Sequence, residues 1–238
     1  MSEKTIRVGF DRFLALKWAN YSLELFLSSD DETENYSLLK TYLDKEISGK
    51  DSSRKTANQL KRLWLNNQDE HQELRILALD ILKRQHFTDQ SIFHLGMAIN
   101  IFPIFKETCK KIGELNGIQE SFSRQVVIDR VSQIFINPTS IPRIVSRVIQ
   151  TLEDWNYLDI THSEIKVRAM PVEDKETSCW FIRAIMSSYG KSEFPLTDID
   201  LLYEKLGLSI PDIRKAIKLS NTLIIRRNPV GIETIKIT

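Results

Sequence analysis

The sequence predicts a mainly α protein: an N-terminal helical bundle followed by two tandem winged-helix modules, each a helix-turn-helix unit closed by a β-hairpin. Three observations predict it. Apolar residues recur at three- and four-residue spacing through the first third of the chain. The order helix, turn, helix, hairpin then occurs twice. The pentapeptide S-I-P-x-I opens the helix before each hairpin, as Ser140-Ile141-Pro142-Arg143-Ile144 and again as Ser209-Ile210-Pro211-Asp212-Ile213. The expected boundaries are 1–89 for the helical domain, 90–170 for the first module and 171–238 for the second.

In the first domain, Phe13, Leu14, Leu16, Trp18, Leu23, Phe26 and Leu27 make an apolar stripe from Asp11 to the polar run Ser28 to Asn35. A second helix carries Leu38, Leu39, Tyr42, Leu43 and Ile47 and stops at Gly49. Ser52 or Ser53 can cap a third, with Ala57, Leu60, Leu63 and Trp64 inward and Arg54, Lys55, Lys61 and Arg62 outward. Leu74, Leu77, Ala78, Ile81 and Leu82 define a fourth, and Lys83 and Arg84 sit where cations complement the helix dipole.

The first module opens on the apolar run Ile92 to Ile112, in which Pro103 implies a kink or break, followed by a turn at Asn116-Gly117. Ser123 can cap a helix with Val126, Val127, Val131 and Ile134. After Asn137-Pro138-Thr139, Ser140 is an N-cap position, and Pro142 falls in the first turn, where its missing N–H costs nothing. That helix runs to about Trp155, and Tyr157 to Ile160 and Glu164 to Arg168 alternate as a hairpin around Thr161-His162-Ser163. The second module repeats the order. Trp180 to Met186 form a helix ending near Gly190, Phe194-Pro195-Leu196 a short strand, and Thr197 or Asp198 caps a helix closed by Gly207. A further helix runs to about Ser220, and Leu223 to Arg227 and Ile232 to Ile237 form a hairpin.

Winged-helix order points to nucleic acid, so the polar faces were read for it. On the helix after Ser140, Ile144, Val148, Leu152 and Trp155 line one side, and Arg143, Ser146, Arg147, Gln150 and Asp154 the other. Arg and Gln offer paired hydrogen bonds to base edges in the major groove, and Ser can reach phosphate. Lys166 and Arg168 on the hairpin suit backbone contact. In the second module the candidates are Arg214, Lys215, Lys218, Arg226 and Arg227, the last two just before the hairpin tip. The plainer alternatives are a solvated helix face and a charged edge strand protected from aggregation.

Composition frames these readings. Net charge is +1, so a nucleic-acid surface has to come from local segregation of charge. Eight glycines and seven prolines favour helices over a loop-rich design, and two isolated cysteines, Cys109 and Cys179, argue against a disulfide scaffold. No signal peptide opens the sequence and no stretch is long enough to span a bilayer, so a cytoplasmic protein is expected. Phosphate-loop, dinucleotide and nucleophile-elbow motifs are absent, the four histidines are scattered, and neither catalysis, metal nor cofactor is expected. Asp69-Glu70-His71 with Glu73 reads as an acidic helix start, Cys109 as a buried thiol, and Trp64, Trp155 and Trp180 as core.

The length, the helical N-terminal part with Arg54-Lys55-Thr56-Ala57 opening a basic helix, and the winged-helix half resemble the BrxA-like components of bacterial BREX phage-defence systems. The segment from His94-Leu95-Gly96-Met97-Ala98 to Phe102-Pro103-Ile104-Phe105, with Leu152-Glu153-Asp154-Trp155, is also similar to other defence-associated helix-turn-helix proteins. The resemblance implies a double-stranded DNA-binding accessory protein acting alongside a methyltransferase and large ATPases. Outside that resemblance, a protein-interaction scaffold and a transcriptional regulator use the same modules.

Overall fold

The computed structural model describes residues 9–85, 89–135, 139–172, 174–198, 207–209 and 213–238. They form a mainly α protein with small sheets. Helix α1 is Leu16–Ser28, α2 Glu32–Glu46 and α3 Lys50–Leu60, the last running on into a π-helical turn at Lys61–Leu65. Helix α4 is Gln72–Arg84. The polar run Ser28 to Asn35 therefore contains the end of α1 and the start of α2. Its Asp31 carboxylate accepts from the Thr33 and Glu34 amides at 2.9 and 3.0 Å, and Glu32 and Glu34 favour the positive end of the helix dipole. Helix α3 is entered from Gly49, three residues before Ser52 and four before Ser53, the expected caps, and the Gly49 φ of +96° is one that glycine adopts without strain.

Arg75 secures the π turn. Its guanidinium is fully buried and donates to the carbonyls of Arg62, Leu63 and Asn66 at 2.5, 2.9 and 2.7 Å. It also forks onto Asp69 at 2.6 and 3.0 Å. One side chain thus satisfies carbonyls that a widened helix end leaves without partners. The acidic stretch before α4 serves this purpose: Asp69 pairs with Arg75 and accepts from the His71 amide.

The apolar run of the first module divides into α5, Ser91–Ile101, and α6, Pro103–Asn116, because Pro103 cannot continue α5 and instead opens α6 at its first position. Helix α5 is buried on every side except at Asn100, as its lack of a polar face requires. Strand β1 is Phe122–Ser123, α7 Arg124–Ser132, α8 Ile141–Asp154, β2 Leu158–Thr161 and β3 Glu164–Val167. Strand β3 is central, between β1 and β2, antiparallel to both. His162 and Ser163, both with positive φ, make the two-residue tip that the right-handed strand twist favours.

Strand β4, Met170–Pro171, leads into α9, Lys175–Ser188, and β5, Glu193–Pro195. Residues 196–198 are already helical, so that helix starts before the expected Thr197 or Asp198 cap; its predicted body, Ile199 to Leu206, lies outside the described residues. Strand β6 is Leu208–Ser209, α10 Ile213–Lys218, β7 Leu223–Arg227 and β8 Glu233–Ile237. Strand β8 is central between β5 and β7, the order already seen in the first sheet.

The two S-I-P-x-I segments differ at their first residue. Ser140 occupies the N-cap position of α8, though its hydroxyl makes no capping bond, whereas Ser209 lies in β6 and pairs in parallel with Pro171 of β4. The residues between, 210–212, lie outside the described ones. Gly207, at the start of this link, has φ +75°, and a Cβ there would lie 2.0 Å from the Arg168 carbonyl oxygen. Backbone packs on backbone at this point, and only glycine fits.

A single buried apolar cluster runs from Phe10 to Ile235 and draws on all three expected domains. Helices α5 and α9 form its centre. Gly96 faces Trp180 so closely that a Cβ would sit 2.6 Å from the indole, and the Asn100 amide donates to the carbonyls of Gly96 and Ala184 at 2.9 and 2.7 Å. Trp64, Trp155 and Trp180 are all core, as their place on apolar stripes predicts.

Candidate nucleic-acid interface

Helix α8 turns Ile144, Val145, Val148, Ile149 and Leu152 inward, leaving Arg143 exposed and Ser146, Arg147 and Gln150 half-buried on the outer side. Arg143 makes no ion pair among the described residues. Arg147 donates to the Gln150 side-chain oxygen at 2.8 Å, and the Ser146 hydroxyl donates to the Pro142 carbonyl at 2.9 Å. The sequence-predicted face therefore comes together, with its polar groups already ordered by one another.

Its far end is covered. Residues 10–15 are not helical, although the apolar stripe extends through them, and they cross the C-terminal half of α8 as a strap. The Thr151 hydroxyl oxygen accepts from the Leu14 amide at 3.0 Å, and the Trp155 indole donates to the Leu14 carbonyl at 2.9 Å. Asp154, which in the sequence sits among the groove-facing groups, accepts from the Leu16 amide at 2.5 Å and caps α1. Phe13 lies beside Gln150, Glu153 and Asp154. The open part of the face is thus its first two turns, around Arg143 and Arg147. Nothing local in the sequence marks this strap, because its partners are more than 130 positions away.

The first hairpin brings its cations to the surface already paired. Lys166 bonds Glu120, and Arg168 forks onto Asp159 with Nε at 2.8 Å and reaches the Asn156 side chain. The Lys166 ammonium holds the Glu120 carboxyl below its usual range, the Arg168 guanidinium does the same to Asp159, and both cations are shifted upward in turn. Arg124, half-buried at the first position of α7, adds a cation that sequence reasoning passed over; its Nε has no hydrogen-bond partner, and its amide donates to Ser163 in the hairpin tip at 3.0 Å.

In the second unit Glu233 lies between two arginines, bonding Arg214 with one oxygen and Arg227 at 3.7 Å with the other. Lys215 and Lys218 are exposed on α10, and Arg226 is exposed on β7 with no ion pair among the described residues. The basic cluster of the helical domain is spent internally. Arg54 and Lys55 pair with Asp51, and Lys61 with Glu32. Arg62, expected to point outward, is drawn in by the carbonyls of Gly9 and Ile101 and stacks over the Phe102 ring at 4.7 Å.

Both cysteines and His94 are enclosed. Burial pushes the Cys109 thiol upward and that of Cys179 up to about 11, away from nucleophilic thiolate. His94 is buried between Trp64 and Trp155. It accepts from the Trp64 indole at Nδ1, 2.9 Å, so Nε2 carries the proton and donates to the Asn20 side-chain oxygen at 2.7 Å. Desolvation holds its pKa down at about 3. Among the described residues no group of three or more His, Cys, Asp or Glu is placed to hold a metal ion, and no helix is long and apolar enough to cross a membrane. No protein-family model, curated protein or solved structure matches the chain.

Proposed function

We propose that the chain is a non-catalytic, double-stranded DNA-binding accessory protein of a bacterial phage-defence system of the BREX kind, working in the cytoplasm. One observation carries the reading: two successive units arrange their three strands in the same order, first, third, second, with helices before the closing hairpin. That order supports a winged-helix reading, in which α8 is the recognition helix of the first module and α10 that of the second. The matching order supports a tandem pair more firmly than five repeated letters do. In this reading α6 is the first helix of the first module.

Arg143 and Arg147 on α8 are the groove-facing residues of this reading, with Ser146 and Gln150 beside them. Lys215, Lys218 and Arg226 face phosphates. Lys166, Arg168, Arg214 and Arg227 take part by exchanging a carboxylate for a phosphate, which lowers the net gain from each. A gel-shift titration on duplex DNA across a salt series tests the assignment. Binding should weaken steeply with salt, and Arg143→Ala/Arg147→Ala should flatten the log–log slope by about two. Absence of binding at low salt, or an unchanged slope in the double variant, would overturn it.

A protein-interaction scaffold is the second reading, favoured at the first module by the pairing of both hairpin cations. It expects little DNA affinity and stable co-purification with neighbouring gene products.

A further inference from the structure

The two hairpin tips differ in chemistry. The first, Thr161-His162-Ser163, is polar, its nearby cations are paired, and it is tied to α7 through the Arg124 amide. The second exposes Val230 and Ile232, at 78% and 50% of their full surface. Its loop is also rigid. The Asn228 side-chain oxygen accepts from the amides of Val230 and Ile232 at 3.1 and 2.8 Å. The Asn228 amide donates to the Ile232 carbonyl, and the Gly231 amide to the Asn228 carbonyl, both at 2.9 Å. Gly231 turns the chain at φ +86° with open space where a Cβ would be. On the strand leading to this apolar tip lie Arg226 and Arg227, successive residues and so on opposite faces; Arg227 and Arg214 pair with Glu233, and the Glu193 carboxylate is held by Thr234, across from Arg226.

We infer that residues 228–233 form a wedge for the minor groove of duplex DNA, Val230 and Ile232 pressing against a base step while Arg226 and Arg227 hold the flanking phosphates. The inference rests on the DNA-binding reading above and adds to it a site, a groove and a deformation. Branched apolar side chains entering the minor groove unstack a step and kink the duplex, and the surplus of cations supplies the attraction that carries them there. The loop's own hydrogen bonds order it before contact, so little conformational entropy remains to be lost on binding. An apolar tip with arginines on the strand leading to it also suits an anionic membrane surface, but the tip offers two side chains rather than the broad face that stable membrane binding requires.

The experiment is energy transfer between dyes at the two ends of a duplex of about 30 base pairs with a central TA step, which kinks readily. The full chain should shorten the end-to-end distance. Val230→Ser/Ile232→Ser should bind with an unchanged salt slope yet leave the duplex straight, its circular dichroism and unfolding midpoint matching the parent because both side chains are exposed. Arg226→Ala should keep the bend and lower the slope by about one. A bound duplex that stays straight, or one bent equally by the double serine variant, overturns the wedge and leaves the DNA reading standing. Loss in that variant of binding to phosphatidylserine vesicles or of self-association, with bending unchanged, overturns it in favour of another occupant. Failure of the parent to bind any duplex at low salt removes the DNA reading and the wedge together.

Discussion

Arg75 and His94 are the two polar side chains on which the helical domain turns. Arg75 carries a full charge with no exposed surface, balanced by Asp69 and three carbonyls. Replacing it with Met leaves Asp69 and those carbonyls without their donor, and stability should fall by roughly 3–5 kcal/mol, read from the urea midpoint at constant slope. His94 is a base held neutral. Because its folded pKa lies near 3, below the ordinary 6.5, the unfolded chain binds the proton more readily between those values. Its stabilising effect is complete above about pH 6.5 and is lost as pH falls toward 3, at up to about 1.4 kcal/mol per pH unit. His71, shifted down by burial, acts in the same direction. Unfolding followed from pH 7 to 5, above most carboxylate titrations, should show this slope, and His94→Gln should reduce it while the His71 part remains.

At the scale of elements, helices with a clean stripe were legible in the sequence. Leu74 to Leu82 and Ile144 to Leu152 gave α4 and α8, and Ser123 capped α7 through its hydroxyl at 3.4 Å as expected. What the sequence hid were the places where tertiary contact overrides a local signal. Phe13 and Leu14 continue the periodicity of α1 but are held extended by Thr151 and Trp155; Ser53 has the chemistry of a cap yet is buried inside α3. In the candidate site, three- and four-residue spacing put Arg143 and Arg147 on the outer side of α8, where they lie, whereas the acids that neutralise the two cations of the first hairpin could not be read from spacing. The closest helix contact supplies a test. Gly96→Ala forces a methyl against the Trp180 ring and should cost about 1–3 kcal/mol, while the same change at Gly49, where nothing lies within 4 Å, is limited to the strain of a positive φ. A gain in stability at Gly96, which an unobstructed mid-helix alanine brings, would mean that helix α5 and helix α9 are not in this contact.

For the whole molecule, the expected division at 89/90 and 170/171 runs through continuous core. Trp180 of α9 donates to the Leu74 carbonyl of α4, Arg183 of α9 bonds Glu73 at 2.5 Å, and α5 is buried along its length except at Asn100. Composition alone cannot reveal this, since each stretch has an apolar complement sufficient for a core of its own. Thermal unfolding should accordingly be one cooperative transition, with calorimetric and van't Hoff enthalpies in agreement. A segment comprising residues 90–170 alone, which exposes the α9-facing side of α5, should fail to give a sharp transition; a well-folded, monomeric segment would show that the modules are energetically separate.

The strap over α8 has a consequence for synthesis. Leu14 and Leu16 leave the ribosome about 140 residues before Thr151, Asp154 and Trp155, an interval of roughly 7–28 s at ordinary elongation rates. Through that interval Phe10 can reach Phe102 and Phe105 and Phe13 can reach Trp18, but Leu14 lacks its partners on α8, and the amide that will cap onto Asp154 has only water. Helix α8 is therefore the keystone of the N-terminal strap as well as part of its own unit. A nascent chain stalled before α8 emerges should be a client for hydrophobic-binding chaperones, and one stalled beyond it should be released.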